Sequence, residues 1–116
     1  MSMNCMKKHE ILKEFNKYNI VTLCGSTKFK DEFMEEQKRL TLEGNIVISV
    51  GVFGHSDGDV LTIDVKDILD DIHKSKIDLS DEIFVINVGG YIGTSTKSEI
   101  EYAKSTGKMV KYLEEI

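Results

Sequence analysis

The chain alternates between two patterns of apolar and polar positions. Four short runs are apolar and rich in β-branched residues, as buried strands are: residues 20–26, 45–54, 82–90 and 108–114. Between these runs the apolar residues recur every three or four positions, which predicts helices with one buried face over residues 27–44, 60–79 and 96–106. The predicted order is therefore strand, helix, strand, helix, strand, helix, strand.

Local signals refine this order. Gly44 is expected just after the first helix, and residues 55–59 carry the small polar residues of a loop. The acidic pair Asp70 and Asp71 leaves an alternative open, in which a second and shorter helix begins there, because aspartate is a good N-cap. Residues 7–19 also show helical spacing and predict a peripheral helix.

The element order predicts the fold class. Strands that alternate with helices form a parallel sheet covered on both faces, because each helix carries the chain back to the same end of the sheet. We therefore expect one domain over residues 1–116, an α/β doubly wound three-layer sandwich of the flavodoxin-like or Rossmann-like type. The simplest arrangement has four parallel strands in the order 2-1-3-4.

Composition excludes several kinds of partner. Lys and Arg number 15 against 20 Asp and Glu, so the net charge of −5 gives no footprint for a nucleic-acid polymer or an anionic membrane. No window approaches the roughly 18 apolar residues of a membrane span, and the first residues lack a signal-peptide core. A cytoplasmic protein is expected.

The cysteines predict neither a disulfide framework nor a metal site. Cys5 and Cys24 are too few for a framework, and no CxxC or Cys/His spacing is present, so neither a metal nor a cofactor is predicted. Cys24 is interpreted as a small buried hydrophobic residue.

The strand order predicts where a ligand would bind. The topological switch lies between the first and third strands, and ligands bind beyond the carboxyl ends of the strands there. Those ends carry Gly25-Ser26 and Gly89-Gly90. Glycines at strand ends let backbone approach a ligand, and Lys28 could add a charge to the same turn.

Two motifs beside this crevice also have ordinary structural explanations. Ser26 or Thr27 could simply cap the first helix, without any ligand. The segment from Thr96 to Glu99 has the form of a capping box, in which Glu99 would bond to the backbone of its own helix. If Glu99 instead faces Ser26 across the crevice, it belongs to a site.

The sequence as a whole resembles a known family. The segments "GST" after the first strand, "DEIFVINVGG" at the third and "GTSTKSEIEYAKSTGKMV" after it are similar to the nucleoside 2-deoxyribosyltransferase superfamily, which includes nucleotide N-glycoside hydrolases. The resemblance covers residues 20–113. It implies the same α/β sandwich, assembled as a homodimer or larger homo-oligomer, and a small-molecule nucleoside or nucleotide as substrate.

The resemblance also implies roles for individual residues. Glu99 matches the nucleophile that attacks the anomeric carbon of the sugar. The turn after the first strand would bind sugar or base, and the loop before Glu99 would hold the 5′ end or its phosphate. With the crevice glycines and Lys28, the expected substrate-binding residues are Gly25, Ser26, Lys28, Gly89, Gly90, Gly93, Thr94 and Ser95.

One position departs from the family pattern. An acidic residue commonly lies eight positions before the aspartate that precedes the third strand, here Asp81, and that position is His73. His73 could meet the leaving base, donating a proton as an imidazolium, or it could be a packing histidine. Asp70 or Asp71 could supply the carboxylate from one turn earlier.

The sequence therefore predicts an enzyme that cleaves an N-glycosidic bond or transfers a deoxyribosyl group, with Glu99 and His73 as catalytic residues. An alternative is a nucleotide-binding or sensing module that has lost catalysis. A receiver-type domain is disfavoured because the first strand lacks the required acidic pair. Tyr91 and Ile92, after the third strand, are interpreted as a subunit contact, with base stacking as the alternative.

Overall fold

A computed structural model describes residues 17–115, and the predicted helix over residues 7–19 lies largely outside this range. The described chain contains one parallel sheet of four strands in the order β2-β1-β3-β4. The strands are β1 (Ile20–Gly25), β2 (Ile46–Ile48), β3 (Glu82–Ile86) and β4 (Met109–Tyr112). The predicted fold class and strand order are confirmed.

Four α-helices connect the strands: α1 (Lys30–Leu42), α2 (Gly54–Asp57), α3 (Ile63–Asp78) and α4 (Thr94–Ser105). Single 3-10 turns follow β1 and β3, at Thr27–Phe29 and Val88–Gly90. Within residues 17–115 none of the helices combines the length and apolar character that crossing a membrane requires.

The sheet separates two cores. Successive strand residues point to opposite faces, so Leu23 packs in one core and Cys24 in the other. The first core contains Phe33 of α1, and the second contains Ile77 of α3 and Ile100 of α4. Helices therefore cover both faces, as in Rossmann-like three-layer folds.

Several predicted boundaries were wrong. The strand expected over residues 45–54 pairs only over Ile46–Ile48, and the predicted loop after it contains α2. The third strand ends at Ile86, because the following residues turn away in a 3-10 conformation instead of continuing the ladder.

The helix α3 is continuous. Thr62 caps it by accepting a hydrogen bond from the Val65 N–H at 3.3 Å, and the helix runs without a break through Asp70 and Asp71. The alternative of a second helix that begins at this acidic pair is therefore wrong, since the hydroxyl of Thr62 already supplies the cap.

The carboxyl end of β1 lies against β3, and the close approach requires a glycine. Gly25 pairs with Ile86 and has a φ of +153°. A Cβ at Gly25 would lie 2.8 Å from the backbone oxygen of Ile86 and 3.0 Å from its Cβ. Neither atom belongs to a flexible side-chain end, so an alanine would push the two strands apart.

We expect Gly25→Ala to destabilise the protein by roughly 1–3 kcal/mol, since it adds a clash to a strained φ. Urea denaturation would measure the loss. Gly51→Ala is the matched control, because a Cβ there meets no atom within 4 Å. Equal unfolding midpoints for the two variants would contradict the packing argument.

Candidate functional site

A cavity of about 380 Å³ opens at the carboxyl ends of the strands, where the sequence predicted a crevice. Gly25 and Ser26 reach it from the end of β1, and the loop after β2 forms a second side. The helix α3 and the first turns of α4 close the remaining sides. Its volume falls within the roughly 300–1,000 Å³ typical of small-molecule sites.

Three polar side chains from three elements meet beside this cavity, and we call Cys24, His73 and Glu99 the buried cluster. His73 and Glu99 line the cavity, and Cys24 lies behind them. Cys24 Sγ of β1 lies 3.2 Å from His73 Nε2 of α3. Glu99 Oε1 of α4 lies 3.6 Å from the same nitrogen. The thiol is fully buried, and the Glu99 side chain is 12% exposed, toward the cavity.

Glu99 does not cap its own helix. The helix begins at Thr94 with Gly93 as the N-cap, so Thr96 is the third helical residue and Glu99 the sixth. The capping-box interpretation is therefore wrong, because the helix begins two residues earlier than predicted. The Glu99 side chain instead lies beside His73 and lines the cavity.

Burial controls the protonation of Glu99. Desolvation, followed by repulsion from the Asp70 carboxylate, raises the pKa of Glu99 from 4.5 to about 7, against smaller opposing effects of the Cys24 thiol and Lys74. In a substantial fraction of the molecules Glu99 is therefore protonated at neutral pH. The carboxylate can gain its charge most easily when a positive charge approaches it.

The other two members of the buried cluster are neutral at pH 7. Desolvation, assisted by the charge of Lys76, lowers the pKa of His73 to about 4. Burial, then the proximity of Glu99, raises the pKa of the Cys24 thiol well above its usual value. The predicted role of His73 as an imidazolium donor is therefore not supported, because the site disfavours the charged ring.

The cluster is not a nucleophile–base–acid relay. In such a relay the nucleophile and the orienting carboxylate contact opposite nitrogens of the histidine. Here Cys24 and Glu99 both approach Nε2, and the thiol is fully buried. The geometry does not favour thiol catalysis.

Five of the predicted substrate-binding residues line the cavity: Gly25, Ser26, Gly93, Thr94 and Ser95. Ser26 also caps the 3-10 turn, as its structural explanation required, by accepting from the Lys28 N–H at 3.4 Å.

The other three do not line the cavity, and these are Lys28, Gly89 and Gly90. The ammonium of Lys28 lies 3.6 Å from the centre of the Tyr91 ring instead. The Gly89 N–H donates to the Glu114 carboxylate at 2.7 Å. Both glycines have positive φ, so they serve the turn rather than the cavity.

Sequence reasoning missed Lys66 and Lys76, two of the residues through which α3 lines the cavity. Lys66, Asp70, His73 and Lys76 all line the cavity. Their spacing of three or four residues is the signal that could have found them, because such residues share one helix face. Of the two candidate aspartates, Asp70 lies on this face and Asp71 does not.

Tyr91 and Ile92, the two apolar residues of the loop after β3, have different surroundings. Tyr91 lines the cavity and packs edge to face against Phe29, with ring centres 6.0 Å apart. Ile92 packs against the core that contains Ile100. Ile92 is therefore only partly exposed, Tyr91 is about half exposed, and the subunit contact expected at these residues stays a prediction.

Comparison with known proteins returns no matching family model, no matching curated protein and no matching solved structure. The resemblance to the nucleoside 2-deoxyribosyltransferase superfamily thus remains a sequence-based interpretation.

The two shifted pKa values predict opposite effects of pH on stability. The raised pKa of Glu99 means that the folded state binds more protons between about pH 4.5 and 7, so stability falls as pH rises through this range. The lowered pKa of His73 means that stability rises with pH between about 4 and 6.5.

We expect Glu99→Gln to gain stability relative to the unsubstituted protein as pH rises from about 4.5 to 7, and to hold that gain above pH 7. Each pKa unit corresponds to about 1.4 kcal/mol, so the gain in the free energy of unfolding is a few kcal/mol at most. Urea denaturation at several pH values would measure it, with a chelator present so that no metal ion binds the carboxylate. The exposed Glu101→Gln is the control, and a pH-independent difference for Glu99→Gln would contradict the shift.

Proposed function

We propose that this protein cleaves the N-glycosidic bond of a nucleoside or nucleotide, or transfers its sugar, with Glu99 as the nucleophile. The observation that carries the proposal is the position of the Glu99 carboxylate. It faces a cavity at the topological switch of the sheet instead of its own helix end. The matching sequence motif in the resembled family has a nucleophile there.

The environment of Glu99 suits this chemistry. Cleavage develops positive oxocarbenium character on the sugar, which an adjacent carboxylate stabilises. A partly desolvated carboxylate with a raised pKa is also more basic and a better nucleophile than a solvated one. Because the pKa is about 7, an appreciable ionised fraction exists at neutral pH.

The reaction would proceed in two displacements. A Glu99 oxygen bonds to the anomeric carbon while the bond from that carbon to the base nitrogen breaks, and its electron pair leaves with the base. Water or a second base then attacks the anomeric carbon and loses a proton to solvent, while the bond from that carbon to the Glu99 oxygen breaks and its electron pair restores the carboxylate. Attack by water gives hydrolysis, and attack by a base gives transfer.

The start of α4 suits the 5′ end of the substrate. Thr94, Ser95 and Thr96 line the cavity in the first turn of the helix, where backbone N–H groups lack partners within the helix. The positive end of the helix dipole favours a hydroxyl oxygen or a phosphate there. This supports a nucleoside or its 5′-monophosphate as the substrate class.

The leaving base is assigned to the α3 wall. His73 is neutral and can hydrogen-bond a ring nitrogen without supplying a proton at neutral pH. Asp70 lies one helical turn before it, lines the cavity and is exposed to solvent. Because Asp70 contacts solvent, we assign to it the relay of a solvent proton to the departing base, in place of the acidic residue that the family pattern carries at His73.

Two finer sequence predictions stay predictions. A homodimer or larger assembly, expected from the resemblance, would have the exposed apolar residues of α3, among them Ile63 and Ile68, as an available surface. A cytoplasmic location is likewise part of this proposal.

We expect Glu99→Gln to lower base release by several orders of magnitude while the variant remains folded, since the amide cannot attack the anomeric carbon. Incubation with a panel of nucleosides and 5′-monophosphates, followed by chromatography of the free base, would measure the rate. Glu101→Gln on the same helix is the matched control.

The unsubstituted protein distinguishes the proposal from its alternative. Binding of a nucleotide by calorimetry without release of base from any panel member would establish a binding or sensing module instead. A Glu99→Gln variant that keeps its rate would reject the nucleophile.

We also expect Asp70→Asn to slow base release on the order of 100-fold and Asp71→Asn to leave it unchanged, because only Asp70 lines the cavity. An N7-methylated purine nucleoside separates proton transfer from packing, because its base leaves without gaining a proton. Asp70→Asn should lose little with that substrate. An equal loss with both substrates would contradict the proton-transfer role.

A further inference from the structure

The buried cluster has a second property that nucleophilic attack by Glu99 does not use. Its three donor atoms converge on one another instead of forming a line, and all of them lie within 4.8 Å of one another. Two of the three separations are 3.2 Å, between the Cys24 sulfur and the His73 nitrogen, and 3.6 Å, between that nitrogen and the Glu99 oxygen. Convergence of this kind is the arrangement around a single bound ion.

These two separations are close to those of a tetrahedral metal site. Zinc binds sulfur at about 2.3 Å and nitrogen or oxygen at about 2.0–2.2 Å, so tetrahedral donors lie roughly 3.3–3.6 Å apart. The buried cluster needs only small side-chain adjustments to reach those values. Its donors belong to three separate elements that the sheet holds in place, β1, α3 and α4.

The donor types narrow the choice of ion. A thiolate, a neutral imidazole and a carboxylate suit Zn²⁺ and Co²⁺, whereas Mg²⁺ and Ca²⁺ prefer sites built from oxygen alone. One thiolate and one carboxylate together balance the charge of a divalent ion. The site also has room for a fourth ligand, because Glu99 and His73 line the cavity.

We propose that Cys24, His73 and Glu99 bind one divalent cation of the zinc class, with a fourth position open to the cavity. On binding, the S–H bond of Cys24 breaks as the sulfur–metal bond forms, and the proton passes to solvent. Any proton on Glu99 is released in the same way, and the oxidation state of the metal does not change.

Metal binding opposes nucleophilic attack. One Glu99 oxygen donates its electron pair to the ion, and the positive charge of the ion makes the other oxygen a much weaker nucleophile. Zinc would therefore switch off base release, a consequence that rests on the function proposed above, whereas the metal site itself does not.

Cobalt(II) titration of the protein, residues 1–116, tests the site. We expect one equivalent to bind, with a sulfur-to-cobalt charge-transfer band in the near ultraviolet and the intense visible bands of a four-coordinate ion. Cys24→Ser should lose the charge-transfer band, and Cys5→Ser, which removes the other cysteine, should keep it. Absence of the band from the unsubstituted protein, or its persistence in Cys24→Ser, would overturn the proposal.

Competition with a chromophoric chelator measures the contribution of the other two ligands. His73→Gln and Glu99→Gln should each weaken zinc binding by more than the roughly 10–100-fold that loss of an outer partner costs. Glu101→Gln should bind zinc normally. Unchanged affinity in the first two variants would overturn the assignment of these ligands.

Base release measured with zinc and then with excess chelator separates the two proposals. If one equivalent of zinc inhibits base release and the chelator restores it, zinc binding opposes nucleophilic attack by Glu99 as inferred. Cobalt binding without base release under any condition would reject the proposed function and leave the metal site standing. Base release without cobalt binding would reject the metal site alone.

Discussion

The parallel pairing of β1 with β3 is the constraint from which the candidate site follows. Gly25 lets the two strands meet at their carboxyl ends, where any larger residue would collide with the backbone of Ile86. The chain leaves β1 toward α1 on one face of the sheet and leaves β3 toward α4 on the other. The gap between these departing connections is the cavity, and the first turns of α4 must line it. Glu99 therefore reaches the cavity through the geometry of the sheet, and a shift of this junction would move the whole wall.

Burial determines the protonation of the three side chains of the buried cluster. Removing Cys24, His73 and Glu99 from water disfavours every charged form that they could adopt. Burial therefore raises the pKa values of Cys24 and Glu99 and lowers the pKa of His73. The nearby carboxylate of Asp70 adds to the penalty on Glu99. Such a cluster is short of positive charge, and an arriving positive charge would offset the penalty. An oxocarbenium-like sugar and a divalent cation are both positive, which is why the same three side chains support two proposals.

Periodicity and strand order could be predicted from sequence, whereas the ends of elements and the site partners mostly could not. The alternation of apolar runs determined the parallel sheet, and the strand order correctly located the crevice. The end of β3 depends on where its partners stop, which local sequence does not encode. The start of α4 was misjudged because Thr96 and Glu99 match a capping box better than the glycine that begins the helix. Sequence reasoning named His73 and Glu99 but missed Cys24 as their partner, because the three residues are separated by 49 and 26 positions and only the fold brings them together.

The histidine at position 73 changes the electrostatics of the site relative to the family pattern that the chain resembles. An acidic side chain there would bring a second carboxylate close to Glu99, and two such groups could not both ionise near neutral pH. The neutral imidazole removes that repulsion, and its Nε2 lies 3.6 Å from the Glu99 carboxylate. Asp70, one turn earlier and exposed, keeps a carboxylate on the cavity wall in contact with solvent. The two carboxyl groups thus occupy different environments, one buried and one solvated, and such a difference is what allows two carboxyl groups in one site to take different roles.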